Sequence, residues 1–171
     1  MAGPGPAFAF VLADAAIAYN FLMKIALGAD HAGFALKDQI KQHLQQKGIS
    51  VHDEGTNSPD SVDYPDFARL VAHDVAEKRA ELGILVCGSG IGMAISANKV
   101  NGIRAANVST EYEAQMSREH NNANVLALGA RILDSHQALA IVDRWLVAQF
   151  AGGRHQTRLE KISHIEREEA R

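Results

Sequence analysis

The sequence predicts an α/β protein built on a five-stranded parallel sheet with helices on both faces. Two observations predict it. Short, near-continuously apolar runs recur at Lys24–Ala29, Ile49–His52, Leu82–Cys87, Arg104–Val108 and Asn124–Leu128, each bounded by Gly, Asn, Asp or charge. Between them, apolar residues recur at helical spacing. Unbroken apolar runs suit strands buried on both faces, and strand–helix alternation suits parallel strands joined by crossover helices.

The elements follow in chain order. Residues 1–22 differ from what comes after: MAGPGP is a loop composition and the remainder is Ala-rich. Met23 then opens MKIALGADH, the natural first strand of a domain. We therefore set residues 1–22 apart as an N-terminal extension, an over-long start or an expression remnant rather than an appended helix or targeting segment. Residues 23–171 form the expected domain. The stretch AFAFVLADAAIAYNFLMKIALG contains Asp14 and has no basic residue before it, which suits neither a secretory signal nor a spanning helix. Leu36, Ile40 and Leu44 mark the first helix, with Gly48 as its stop. Phe67, Leu70, Val71 and Val75 mark the next, behind Pro65 and with Asp63 as a cap. CGSG turns the third strand into a helix. Ala138, Ile141 and Trp145 mark a later helix, and Leu159, Ile162 and Ile165 the last.

Composition narrows the function. The chain has 171 residues, 47% hydrophobic and 22% charged, enough for one domain with a sizeable core. A net charge of -3 offers nothing for nucleic acid or a membrane surface. The single cysteine forbids an intrachain disulfide and fits a reducing cytoplasm, the expected location.

In parallel α/β sheets, ligands bind beyond the carboxyl ends of the strands. The loops there read ADHAG, DEGTNSPDSVDYP, CGSGIG and STEYE, with further polar residues in REHNNAN and GGRHQTR. CGSGIG carries the most information. It places Cys87 beside glycines that let backbone N–H groups approach an anion, at the start of a helix whose dipole favours negative charge. Such a setting can stabilise a thiolate or hold a ligand oxyanion. The competing reading is an inert buried strand cysteine. Familiar glycine motifs fail: G-x-G-x-x-G has Met93 where the third small residue belongs, no Walker lysine follows, a C-x5-R phosphatase would need Arg at Met93, and no C-x-x-C exists. What remains is one thiol at an anion-holding loop, suited to moving a proton beside a carbonyl.

Other polar groups are ambiguous one at a time. Asp30 and His31 could orient a sugar hydroxyl and contact a phosphate, or be a helix N-cap beside a solvent histidine. His120 could shuttle a proton near neutrality, with Asn121 beside it, or lie idle on the surface. Arg154 and Arg158 stand four apart on one helix face, a phosphate clamp or a solvated basic face. His31, His120 and His155 show no H-x-x-x-H or H-E-x-x-H spacing, so no metal is expected.

Taken together, GADHAG, DYPDFA, CGSGIGMAISANK, GIRAA, REHNNANVLALGAR and FAGGRHQTRLEKI closely resemble the ribose-5-phosphate isomerase B family of sugar-phosphate isomerases, motif after motif from Met23 almost to Arg171. The resemblance implies a three-layer α/β/α, Rossmann-like fold. It implies aldose–ketose isomerisation through a cis-enediolate without metal or other cofactor, with D-ribose 5-phosphate and D-ribulose 5-phosphate as the pair. It implies Cys87 as the base between C1 and C2, and Ser89, where family members often have Thr, assisting at the transferred hydroxyl or oxyanion. Gly88, Ser89, Gly90, Ile91 and Gly92 match the anion hole, His120 the ring-opening residue, and Asp30 a contact to the ring hydroxyls. Arg154 and Arg158 match the phosphate-binding arginines. His31 and Asn121 match further substrate contacts, and Tyr64 and Arg131 recurring family positions. Some members use a glutamate instead of the cysteine; this chain resembles the cysteine branch. The family forms dimers, often dimers of dimers, with each site built from two chains, so the last helix is expected to reach a neighbour. Two alternatives stand beside this expectation: an isomerase of a six-carbon sugar phosphate, and a non-catalytic sugar-phosphate or nucleotide sensor on the same fold.

Overall fold

The computed structural model describes residues 23–170. The extension expected over residues 1–22 lies outside the described residues. The chain alternates β1 (Lys24–Ala29), α1 (Phe34–Gln46), β2 (Ser50–Gly55), α2 (Tyr64–Ala76), β3 (Leu82–Cys87), α3 (Ile91–Ala97), β4 (Ala105–Asn107), α4 (Glu111–Glu119), β5 (Val125–Gly129) and α5 (Ser135–Val147), then ends in α6 (Arg154–Glu169). The strands pair in parallel in the order β2-β1-β3-β5-β4. This is the expected Rossmann-like α/β/α arrangement.

The strand period of two divides the core. Ile25, Leu27, Ile84, Val86, Leu126 and Leu128 pack with Leu36, Ile40 and Leu44 of α1 and Ala138, Ile141 and Trp145 of α5. Their neighbours Ala26, Leu85, Cys87, Val125 and Ala127 pack with α2 and α3 on the other face. Each large aliphatic side chain buried this way contributes about 1.5–3 kcal/mol. The second face is built from smaller residues, and α2 sits close to it. A Cβ on Gly28 would lie 2.9 Å from Val71 Cγ2, and one on Gly83 would lie 2.7 Å from Val71 Cγ1.

Several elements differ from their sequence expectation. β2 runs through SVHDEG and is mostly polar, because it is an edge strand. Its polar groups are held by helices on each side. Asp53 accepts from Lys37 Nζ at 2.7 and 2.8 Å, from Lys41 Nζ at 2.8 Å and from the Gly55 N–H at 3.0 Å. His52 Nδ1 and Arg79 Nε each lie 2.6 Å from the Asp74 carboxylate. Burial opposes charge at Asp53 and Asp74, yet the hydrogen bonds from these partners hold both carboxyls below the ordinary range. α4 has no apolar stripe and starts from a Thr110–Glu113 capping box. Asp63 occupies the N-cap position of α2, but its side chain makes no capping bond. Leu70 is exposed on α2. On α6 only Leu159 of the expected stripe is buried; Ile162 is 47% and Ile165 59% exposed. Among the described residues, no helix is long and apolar enough to cross a membrane.

Candidate active site

The sheet order reverses direction at β1: β2 lies to one side and β3 to the other. The crevice between their carboxyl ends is the usual ligand position in such sheets. Here it is a pocket of about 380 Å³, lined by Asp30, His31 and Ala32 after β1, Cys87, Gly88, Ser89 and Gly92 after β3, Tyr64 at the start of α2, and Arg131 and Ile132 after β5.

Local backbone explains each position. Asp30 is nearly buried, at 7% exposure, and its Oδ1 accepts from the N–H groups of Ala32 (2.9 Å) and Gly33 (3.0 Å). It is not the N-cap of α1, a place taken by Gly33. A Cβ on Gly33 would collide with the Val86 carbonyl, so this turn closes tightly against β3. His31 Nδ1 accepts from the Val62 N–H at 3.3 Å, which in the neutral ring leaves Nε2 as the protonated nitrogen.

Cys87 is 5% exposed, and its Sγ accepts from the Gly90 N–H at 3.1 Å. Gly90 makes this possible through its left-handed backbone, φ 79°. The helix it opens has only seven residues. A macrodipole that short adds little, so the loop's own N–H groups carry the anion-holding capacity. Ser89 Oγ lies 3.4 Å from the Ile91 N–H, and Ile91 itself points outward. The Tyr64 ring lies over Gly92, where a Cβ would come within 2.7 Å of it. The loop after β5 is tied to the same place: the Ala130 N–H donates to the Cys87 carbonyl (2.8 Å) and the Arg131 N–H to the Gly88 carbonyl (3.0 Å). This lays the Arg131 side chain against Gly88, 3.3 Å from a Cβ position there.

The remaining sequence-predicted residues form a second group. His120 caps the C-terminus of α4, just ahead of β5, and therefore lies at the amino end of the sheet. The pocket lies at the other end, a β5 length away, roughly 13 Å at about 3.3 Å per residue. His120 stacks on His155, with centroids 4.2 Å apart and planes 5° from parallel. Burial, with the charges of His120, Arg154 and Arg158 around it, holds His155 below the usual histidine value. Asn121 lines a separate groove with Arg104, Ile162 and Glu166. One chain thus gathers Asp30, His31, Tyr64, the Cys87–Gly92 loop and Arg131, and keeps His120, Asn121, Arg154 and Arg158 apart from them. Sequence reasoning passed over Ala32, Ile132 and the Val62 N–H; Ala32 sits inside GADHAG but carries no polar side chain to mark it, and only the fold brings the other two to the pocket. Among the described residues, the one grouping with metal-ligand character is His52, Glu54 and Asp74. It lies outside the pocket, and Arg79 already bonds its aspartate.

Known proteins resemble this chain over most of its length. The family model described as Ribose/Galactose Isomerase matches residues 25–162. Ribose-5-phosphate isomerase B of Escherichia coli (strain K12) is 51% identical over 145 residues, covering 85% of this chain and 97% of that protein. D-erythrulose-4-phosphate isomerase of Pectobacterium atrosepticum is 46% identical over 149 residues, covering 86% and 98%. Among solved structures, ribose-5-phosphate isomerase B of Mycoplasma genitalium with bound ribulose 5-phosphate superposes with a TM-score of 0.83 at 46% identity, covering 86% and 98%.

Proposed function

The chain belongs to the ribose/galactose isomerase family of sugar-phosphate isomerases, and from that premise we propose that it interconverts D-ribose 5-phosphate and D-ribulose 5-phosphate. The observation that carries the reading is a nearly buried thiol in the switch-point pocket, met by a backbone N–H at 3.1 Å. A sulfur so placed can hold negative charge and take a proton from carbon. The Cys87 thiolate removes the C2 proton of the open-chain aldose. The C–H electron pair forms the C1–C2 double bond, and the carbonyl pair moves onto O1. N–H groups of the Gly88–Gly92 loop stabilise the resulting cis-enediolate. The thiol returns its proton to C1, and the O2 proton passes to O1 with Ser89 assisting. Atoms and charge balance, and the thiolate is regenerated.

Ring opening and phosphate binding need the second group. His120 transfers a proton as the furanose opens, with Asp30 on the ring hydroxyls. Arg154 and Arg158 hold the phosphate, and His31, Tyr64, Asn121 and Arg131 fill the remaining contacts. Because one chain keeps these groups at opposite ends of its sheet, we assign the complete site to two chains: one supplies the Cys87 pocket and its partner the His120–Arg158 group. α6 supports this, since it packs sparsely on its own chain and leaves Ile162 and Ile165 exposed.

The test has two parts. Ribulose 5-phosphate formation is measured with EDTA present for wild type and Cys87→Ala; retained turnover in the variant would remove Cys87 as the base. Cys87→Ala and Arg158→Ala chains are then co-expressed. Assayed at substrate well below the wild-type KM, shared sites predict about half the wild-type activity, because a mixed dimer has one intact site; activity no higher than that of the Arg158→Ala protein in verified mixed dimers would place each site within one chain. A second reading, a sugar phosphate of another chain length, is favoured by the resemblance to D-erythrulose-4-phosphate isomerase. Comparing kcat/KM for four-, five- and six-carbon substrates decides between them.

A further inference from the structure

One peptide unit, Ser89–Gly90, has both ends engaged. Its N–H, on Gly90, donates to Cys87 Sγ at 3.1 Å. Its carbonyl, on Ser89, accepts from Asn107 Nδ2 at 3.3 Å, and the same Nδ2 donates to the Ala127 carbonyl at 3.1 Å. Both partners of the Asn107 amide are carbonyl oxygens, so chemistry fixes the amide with its NH2 toward them. Asn107 ends β4, where it pairs in register with Ala127 of β5. Its side chain therefore ties the glycine loop of the site to the sheet.

The tie matters because the unit it holds is easy to turn. Rotating a peptide plane changes ψ of the residue before it and φ of the one after it. The residue after it is Gly90, which meets little steric resistance to other φ values. A turned peptide would swing the N–H away from the sulfur and present a carbonyl oxygen in its place. The local sequence does not prevent this. The Asn107 amide and the packing of the Ser89 carbonyl over Gly129, where a Cβ would come within 2.9 Å, do. A Cβ on Gly90 would collide with Asn107 Nδ2, so the glycine also makes room for the amide.

We propose that Asn107 is a positioning residue: by holding the Ser89 carbonyl it keeps the Gly90 N–H aimed at the Cys87 sulfur, and so sets the reactivity of that thiol. The effect on turnover rests on the reading of Cys87 as the base; the effect on the thiol does not. Because Cys87 is the chain's only cysteine, alkylation reports it alone. The experiment compares the full chain with Asn107→Ala, Asn107→Asp and Asn107→Ser, each checked for folding by its thermal transition. Iodoacetamide alkylation is followed by mass across pH, and steady-state kinetics are measured on the same samples. Asn107→Ala should shift the alkylation profile to higher pH and slow alkylation at neutral pH by about fivefold, with kcat falling alongside and KM nearly unchanged. Asn107→Asp, nearly the same shape with acceptors in place of donors, should exceed it. Asn107→Ser, which keeps a donor, should recover part of the loss. An unmoved alkylation profile in the folded variants overturns the proposal, even if kcat falls. A moved profile in a chain whose wild type lacks isomerase activity supports the role of Asn107 and retires the proposed function instead.

Discussion

The Cys87 pocket and the His120–Arg158 group are built from different material. The pocket grows from two of the three interior strands, β1 and β3, its thiol is in the core, and neighbouring backbone bonds tie its loops together. The second group sits on the end of α4 and the first turns of α6, a helix that packs sparsely on its own chain. In the proposed enzyme the region that must place a base within bond-making distance of carbon is the rigid one. The region that must grip a phosphate lies on an element free to serve a second copy. Fractions of an ångström decide proton transfer, whereas long guanidinium side chains tolerate small displacements.

The sharpest way to break this comparison is Cys87→Ala. We expect kcat to fall about 1,000-fold while substrate still binds, because base and clamp are separate. Isothermal titration of the inactive variant checks the binding; lost affinity would mean that the two regions are not separable. Next comes the support beneath the rigid half. Asp53→Ala leaves the Lys37 ammonium, 1% exposed, without its main partner, and should destabilise the fold by about 3 kcal/mol in urea unfolding. The pH sign is fixed as well. The Asp53 carboxyl is held below its unfolded value, so its stabilisation is complete above about pH 4 and fades as the pH falls through the folded value. The variant should lack that acid-dependent part of the wild-type loss. Arg158→Ala should raise KM by about tenfold with a smaller change in kcat; an unchanged KM would remove it from the clamp. The smallest effect concerns the histidine stack. His155 is held below its unfolded value, so its contribution is full above about pH 6.5 and declines as the pH falls further. Hydrogen-exchange protection in the first turns of α6, taken relative to the intrinsic rate at each pH, should fall across that range in the wild type and lose this dependence in His155→Phe.

The fold was legible wherever burial is two-sided. β1, β3 and β5 announce themselves as unbroken apolar runs, and α1, α2 and α5 as apolar residues every three to four positions. β2 extends through HDEG, where apolarity gives no signal, because an edge strand satisfies its polar side chains with Lys37, Lys41 and Asp74 from flanking helices. α4 buries only Ala114 and Ser117, too small a stripe to show a period. The stripe of α6 was read correctly as a pattern but not as a buried face: Ile162 and Ile165 remain exposed on this chain. At the site, the CGSGIG loop could be found because a thiol at a strand end beside glycines has few bland explanations. Asp30 is not the N-cap of the simpler reading: its carboxylate braces the turn before α1 without capping the helix, at the edge of the pocket. Asn107 could not be found at all; its meaning depends on β4 lying beside β5, which no local pattern encodes.

The close seat of α2 has a mechanical consequence. Val71 rests on Gly83 and Gly28 with no room for a methyl group, and the same helix begins at Tyr64, whose ring lies over Gly92. α2 is therefore a lever with its fulcrum in the core and its tip at the pocket. A single methyl at position 83, as in Gly83→Ala, would act as a shim: it would lift the helix from the sheet and move the tyrosine without altering any residue that lines the pocket.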